Sequence, residues 1–506
     1  MNKTMFKVLE QLKENPYYIR LKEKNISEKV EIAILKNGEP QNTAEKKILK
    51  KEIQLIKTEL DATWEKKIEG FVDNEISALH SIYLHRCLTY KQLYKMHFLK
   101  HFENVQLFEL SIIGNWIKLG LVKKIYFKHN NYVLFLTTRG VDILVNEYNF
   151  SANIFDDKKR VVNRGYFRAN ELEMHPRLIN HQIHLNQFVL DFKRISKNID
   201  KQYNSDIFSK IAYFDEKHIS KYNSIRPDGL ITAFNIDFFL EMDMCTESKK
   251  QLLEKWNNYR SFLSGREFSS TPGGYNKIVV LFIIENSKDL EYRKSLIKET
   301  FSQVLIDKLH PDMFDIYIGS SKQILNSTFN TLLSSLEHKN SPKNKLLGAF
   351  TKEDFLVSYG YNVKKYFEDI EHDYYIRKLN KDGSIKMCNN TAIEFLVNDY
   401  RDNPLSVLNK ITYHKKNSMI YKVSLKREVP LLTIVNSEDE IFNDLKLIDF
   451  DFDRNDNIYF INNEDLNNDV SKGIYQIDNS GNVCKFKDYS VESKYHSHNI
   501  LTKNLK

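Results

Sequence analysis

The stretch from Arg226 to Lys255 constrains this chain more than any other. It runs Arg226-Pro227-Asp228-Gly229, then Phe238-Phe239-Leu240-Glu241-Met242-Asp243, Thr246-Glu247 and finally Lys255. Residues 230–233 and 236–242 read as two short strands joined around Asn235. Residues two apart on a strand point to one face, so Glu241 and Asp243 project together, with Asp228 at the start of the partner strand. Carboxylates gathered in this way repel one another unless a cation lies among them. A hard cation such as Mg²⁺ or Mn²⁺ takes one or two carboxylates, keeps waters and binds substrate phosphate, the arrangement of metal-assisted phosphate-ester cleavage. The plainer alternative has Asp228 capping a turn and Glu241 or Asp243 paired with a lysine.

Pro227-Asp228, then Glu241-x-Asp243, then Lys255 on a helix resembles the PD-(D/E)XK nuclease-like fold, a mixed sheet flanked by helices with a metal site at one edge. The resemblance implies Asp228, Glu241 and Asp243 as metal ligands, with Glu247 and Lys255 completing a catalytic set. Where that pattern carries Glu-x-Lys this chain has Asp at 243, which leaves Lys255 as the lysine for the usual role. Eight residues, about 12 Å of helix rise, separate Glu247 from Lys255 and argue against Lys255 reaching the carboxylates.

Residues 71–150 read as a winged helix. The pattern is an amphipathic helix over 74–87, a second helix over 90–97 with Thr89 as N-cap, and a third over 108–119 closed by Gly120. Strands over 121–128 and 132–136 turn at His129-Asn130-Asn131, and a closing helix runs to Tyr148. In that fold the third helix enters a major groove and the wing touches backbone. From His80 to Asn130 there are eight Lys or Arg against Glu103 and Glu109, a net +6 within a chain that totals +8. Such a segment is the electrostatic footprint of phosphate binding. Lys123, Lys124 and Lys128 are the expected backbone contacts, and Asn115 and Lys118 the expected groove contacts, on double-stranded DNA.

The two regions together resemble the replication-relaxation family of plasmids and mobile elements. The resemblance is carried by Leu-Thr-Tyr-Lys-Gln-Leu from Leu88, Leu-Val-Lys-Lys from Leu121, and Leu-Thr-Thr-Arg-Gly from Leu136. It continues through His181-x-x-x-x-Asn186, Arg226-Pro227-Asp228, Glu241-x-Asp243, Thr246-Glu247 and Lys255-x-x-x-Tyr259, covering roughly residues 70 to 285. It implies a role in plasmid replication or DNA relaxation, with replication proteins as further partners. His181 and Asn186 are expected to support the site, although His181, three residues from His184 on one helical face, can equally pack locally.

Elsewhere the chain is bounded more than defined. Its 506 residues, 42% hydrophobic and 12% aromatic, suit about three or four domains. The expected order is a charged helical segment (1–70), the winged helix (71–150), the nuclease-like domain (171–335), and a mixed, strand-rich C-terminal domain (346–506), with a linker over 334–345. The class is therefore α/β and α+β, multidomain. Within the first segment Leu49, Ile53, Ile56 and Leu60 form a stripe of about two heptads, which either packs on its own domain or pairs two copies as a homodimer.

The longest apolar run, residues 278–284, is far shorter than the ~20 residues of a membrane span, and the N-terminus lacks a signal-peptide core. The four scattered cysteines have no metal-ligand spacing. A cytoplasmic protein without membrane association follows. No Walker A pattern occurs, so no nucleotide cofactor is expected. Residues 437–469 carry eleven acidic against two basic residues. Asp449-Phe-Asp-Phe-Asp453 fails the EF-hand pattern at Arg454 and Phe460. Three readings of function stay open: a Mg²⁺-dependent DNA-nicking endonuclease, a non-catalytic initiator or regulator on a degenerate nuclease scaffold, and a protein-interaction adaptor.

Overall fold

A computed structural model describes residues 73–128, 131–151, 153–155, 161–203, 211–219, 224–233, 236–265, 277–285, 287–310, 313–334, 342–359, 372–388, 391–402, 404–452, 457–485 and 496–499, with isolated helical positions between 50 and 59 and Phe268. The chain is mixed α/β, with helices and several sheets. It divides into two units, 1–194 and 195–506. Of the proposed heptad stripe only Ile53 is described; Leu49, Ile56 and Leu60 lie outside the described residues, as does the turn around Asn235.

In the first unit a helix over 73–85 (α1) leads to the two-residue strand β1 (Leu88–Thr89) and a helix over 90–98 (α2). Thr89 caps α2 through a capping box with Gln92. The next helix, 105–118 (α3), begins earlier than its apolar spacing suggests, because the Asn104 side chain accepts the Leu107 amide at 2.9 Å. It ends at Gly120, whose φ of +66° suits glycine. The Leu121 amide bonds the Trp116 carbonyl at 2.8 Å and the Gly120 amide that of Ile117 at 2.9 Å, a Schellman pairing. Strands β2 (Val122–Lys128) and β3 (Asn131–Leu136) pair antiparallel, with β1 on the far side of β3. A helix over Thr138–Glu147 (α4) follows, in which Gly140 has no alternative: a Cβ there would lie 2.2 Å from the Leu121 carbonyl oxygen. Phe98, Phe108, Ile112, Trp116 and Leu134 are fully buried in the core that these elements share.

That core holds one costly group. Glu75 is 4% exposed; its Oε2 accepts the Trp116 indole at 2.8 Å, while Oε1 has no hydrogen-bond partner among the described residues. Burial pushes its carboxyl up to about 7, with the Trp116 bond opposing. A raised carboxyl pKa means the folded state holds the proton that the unfolded chain releases above about 4.5. The stabilisation is complete below that pH and is lost as pH rises to 7, by about 3 kcal/mol. Hydrogen exchange across α1 should therefore quicken between pH 5 and 7 beyond the intrinsic trend, and Glu75→Gln should abolish the excess.

The long helix Ile179–Tyr203 (α5) carries Asn186, which is fully buried. Its amide donates to the carbonyls of Cys87 (2.6 Å) and His85 (3.3 Å), and its Oδ1 receives Gln182 Nε2 at 3.1 Å and lies 3.1 Å from His85 Nδ1. Gln182 Nε2 also donates to the His85 carbonyl, at 3.4 Å, so these two side chains close the turn between α1 and β1, where Arg86 takes a positive φ of 63°. Asn186→Ala should cost about 1–3 kcal/mol for the lost bond to the Cys87 carbonyl, read as a lowered urea midpoint; the His85 carbonyl keeps Gln182 and the Cys87 amide as donors.

In the second unit five strands form one sheet, ordered across it from the last in sequence to the first. Its strands are β6 (Ala212–Asp215), β7 (Gly229–Ala233), β8 (Ile236–Asp243), β9 (Lys277–Ile284) and β10 (Phe314–Ser320); β4 and β5 are a short pair at Asn153–Phe155 and Val161–Arg164. β8, β9 and β10 run parallel, and β7 and β6 complete the sheet antiparallel. Helices Lys249–Ser264 (α6) and Leu290–Leu305 (α7) form the crossovers that parallel strands require.

The region after 342 forms an eight-stranded mixed sheet together with helices such as Ser406–Leu425 and Glu438–Lys446. Helix Pro342–Lys352 occupies the end of the expected linker. One apolar core runs from Ile225 and Trp256 through Leu396, Leu431 and Val483, so both sheets of this unit share it. Lys298 Nζ meets Asp444 Oδ2 at 2.7 Å with both side chains under a tenth exposed, and Tyr400 donates to the same oxygen at 2.7 Å.

Candidate functional site

The antiparallel register pairs Gly229 with Leu240, which puts Asp228 beside Glu241 at the point where β7 begins. Asp228 Oδ2 accepts the Met242 amide at 2.7 Å, a bond that crosses the hairpin. Glu241, 3% exposed on the central strand β8, has both oxygens engaged. Lys255 Nζ lies 2.9 Å from Oε2, and the Tyr259 hydroxyl donates to Oε1 at 2.6 Å. Both donors come from α6 at a spacing of four, one above the other on a helical face.

Sequence spacing determines why α6 presents that face. Ser248 caps the helix in a box with Gln251, and Leu252, Trp256, Tyr259 and Phe262 seat it on the sheet. Lys255 sits at the margin of this buried stripe and passes 5.2 Å from the centre of the Phe282 ring. It also reaches Glu247 Oε1 at 2.9 Å, against the expectation from helix rise. The helix starts only at Lys249, so Glu247 is not on it, and helical side chains lean toward the N-terminus, where Glu247 waits. Burial opposes the charge on Lys255, but Glu241, Asp228 and Glu247 outweigh it and hold its pKa above that of an ordinary lysine. Burial pushes the Glu241 carboxyl up, with Lys255 opposing and Asp228 adding to the rise.

Asp243 does not join them. Arg293 of α7 binds it in a fork, Nε to Oδ2 at 2.6 Å and Nη2 to Oδ1 at 2.9 Å, and the Cys245 amide also donates to Oδ1 at 2.9 Å. The converging donor set is the Asp228–Glu241 pair, and among the described residues no group of three or more His, Cys, Asp or Glu is placed to hold a metal. A hydrated Mg²⁺ uses one or two carboxylates, and Glu241 of this pair opens onto free space. That space is a cavity of about 440 Å³ between the 224–226 segment and α6, with Glu241, Lys255 and Tyr259 among its lining.

Tyr259 is legible in the sequence as the fourth residue after Lys255; Arg293, fifty positions beyond Asp243, is not. His181 lies half-buried on α5, and Asn186 is spent on the turn after α1.

On the hairpin, Lys123 pairs with Glu173 at 2.7 Å, both about 40% exposed. Lys124 pairs with Glu109 at 3.2 Å and lies 4.1 Å over the Tyr132 ring. Lys123 and Lys124 are adjacent on a strand and so point to opposite faces. Lys128 ends β2. Lys118 is exposed in the last turn of α3 and Asn115 half-buried, beside exposed Leu110 and Ile117.

Among the described residues no helix is long and apolar enough to cross a membrane. Residues 79–278 match the family described as replication-relaxation. No curated protein and no solved structure gives a significant match. Asp228, Glu241, Glu247, Lys255 and Tyr259 lie inside the matched stretch, whereas Arg293 lies outside it.

Proposed function

With the replication-relaxation match over residues 79–278 as premise, we propose that the chain acts on DNA in the replication or relaxation of a plasmid or other mobile element, cleaving a phosphodiester at the Asp228–Glu241–Lys255 cluster. The observation that carries this reading is the meeting of Lys255 Nζ with Glu241 at 2.9 Å, next to Asp228 and at the wall of a cavity. Asp228 and Glu241 would hold Mg²⁺ or Mn²⁺, which when bound polarises a phosphoryl oxygen and lowers the pKa of coordinated water. Tyr259 and Lys255 fix the Glu241 carboxylate in one orientation. Lys255 stays an ammonium at neutral pH because carboxylates surround it, so it acts on developing phosphate charge and not as a base. The first unit serves as a winged helix, with Lys123, Lys124 and Lys128 toward DNA phosphates and Asn115 and Lys118 toward the groove. Exposed ion pairs such as Lys123–Glu173 are weak enough to exchange for phosphate.

A second reading, a non-catalytic initiator on the same scaffold, is favoured by the engagement of both Glu241 oxygens and of Asp243 by protein donors. Supercoiled plasmid incubated with Mg²⁺ or Mn²⁺, and in parallel with chelator, separates the two. Metal-dependent nicking is expected; salt-sensitive binding without any nicking would leave the scaffold, and no salt-sensitive binding would leave the adaptor.

A further inference from the structure

We propose that Arg226 binds a DNA phosphate at the lip of the Glu241–Lys255 cavity, which makes it the substrate-binding residue of the site. The inference rests on reading that cavity as a DNA-processing site, and it adds a residue that the carboxylate pattern passes over.

Ile225 is 4% exposed and Pro227 is also buried, while Arg226 between them is exposed. Two buried neighbours and a following proline, which holds residue 226 in an extended backbone, direct this side chain outward from a fixed stem. It lines the cavity whose wall includes Glu241, Lys255 and Tyr259, facing Asn258 and Glu254 of α6. The other cations here are already committed: Lys255 to Glu241 and Glu247, and Arg293 to Asp243. Among the described residues Arg226 enters no hydrogen bond or ion pair.

A guanidinium presents a planar fork of donors that matches a phosphate's two oxygens. Glu254 stands at the same mouth, 65% exposed and in only a 4.0 Å pairing with Lys250, and its charge repels an entering anion. The mouth therefore carries one residue that attracts a phosphodiester and one that opposes it, and the two make opposite predictions.

The test uses the full chain in chelator, with short single-stranded and duplex oligonucleotides titrated over a series of salt concentrations. Arg226→Ala should weaken binding on the order of ten-fold and reduce the slope of log Kobs against log salt by about one. Arg226→Lys should keep the slope while losing part of the affinity, because charge remains and the fork does not. Glu254→Gln should tighten binding. The slope change in the single-stranded arm alone would identify an unpaired strand as the ligand; in the duplex arm, a double helix. An unchanged slope and affinity in Arg226→Ala with both oligonucleotides, in a variant of wild-type thermal stability, would overturn the proposal. Absence of nicking by wild type would sink the cleavage reading and leave this measurement intact, since binding is followed without metal.

Discussion

Glu241→Gln is expected to lower metal-dependent nicking on the order of a thousand-fold while DNA binding is kept. The substitution preserves shape and removes the charge that holds both Lys255 and a metal. Glu241 lies on a central strand with 3% exposure, so no neighbouring carboxylate can move into its place. The amide can accept from Lys255 or from Tyr259 through its one oxygen, and the other donor faces an NH₂ group. A stability cost of about 1–3 kcal/mol is thus expected alongside the loss of activity. Lys255 keeps Glu247 as a partner, which limits that cost. Nicking should be compared with the urea midpoint of the same preparation. A variant that folds as wild type and nicks at the wild-type rate would remove Glu241 from the chemistry.

Arg293→Ala is expected to destabilise the second unit by about 3–5 kcal/mol, as removal of one partner of a buried pair does. Asp243 is completely buried as a side chain and receives two of its three hydrogen bonds from Arg293. Alanine would leave a carboxylate in the interior with only the Cys245 amide. Replacing both residues by apolar ones of similar size should recover much of the loss, because each charge is costly only when its partner is gone. A double-mutant cycle on the urea midpoint measures the coupling. If Arg293→Ala left the midpoint unchanged, the fork would be a surface contact and Asp243 would again be a candidate ligand.

These two carboxylates show how far strand periodicity reaches. Glu241 and Asp243 share a face of β8, as period two requires, but they meet different partners there. Asp228 beside Glu241 follows from a hairpin, a local pairing whose register is legible over a dozen residues. Asp243 is decided by α7, which arrives after another strand and helix. Lys255 meets Glu247 because the helix begins only at Lys249, which leaves Glu247 off the helix at its N-terminal end. Asn186 illustrates the converse. Its place on α5 does not announce its role, and the structure shows its amide bonding the carbonyls of the turn after α1.

The sequence by itself determined the local elements: the helices α1 to α4 and the hairpin through apolar period and caps, the strands β7 and β8 through alternation, and the Lys255–Tyr259 face through a spacing of four. It also determined which residues carry charge at the site. Only the tertiary structure decided which charges are spent on one another. Arg293 takes Asp243, the Lys298–Asp444 pair ties α7 to helix Glu438–Lys446, and the C-terminal region shares the core of the site-bearing sheet. The physical reason is range: backbone hydrogen bonding and periodicity act over a few residues, whereas a buried charge must find its counter-charge wherever packing brings one, fifty or a hundred and fifty positions away.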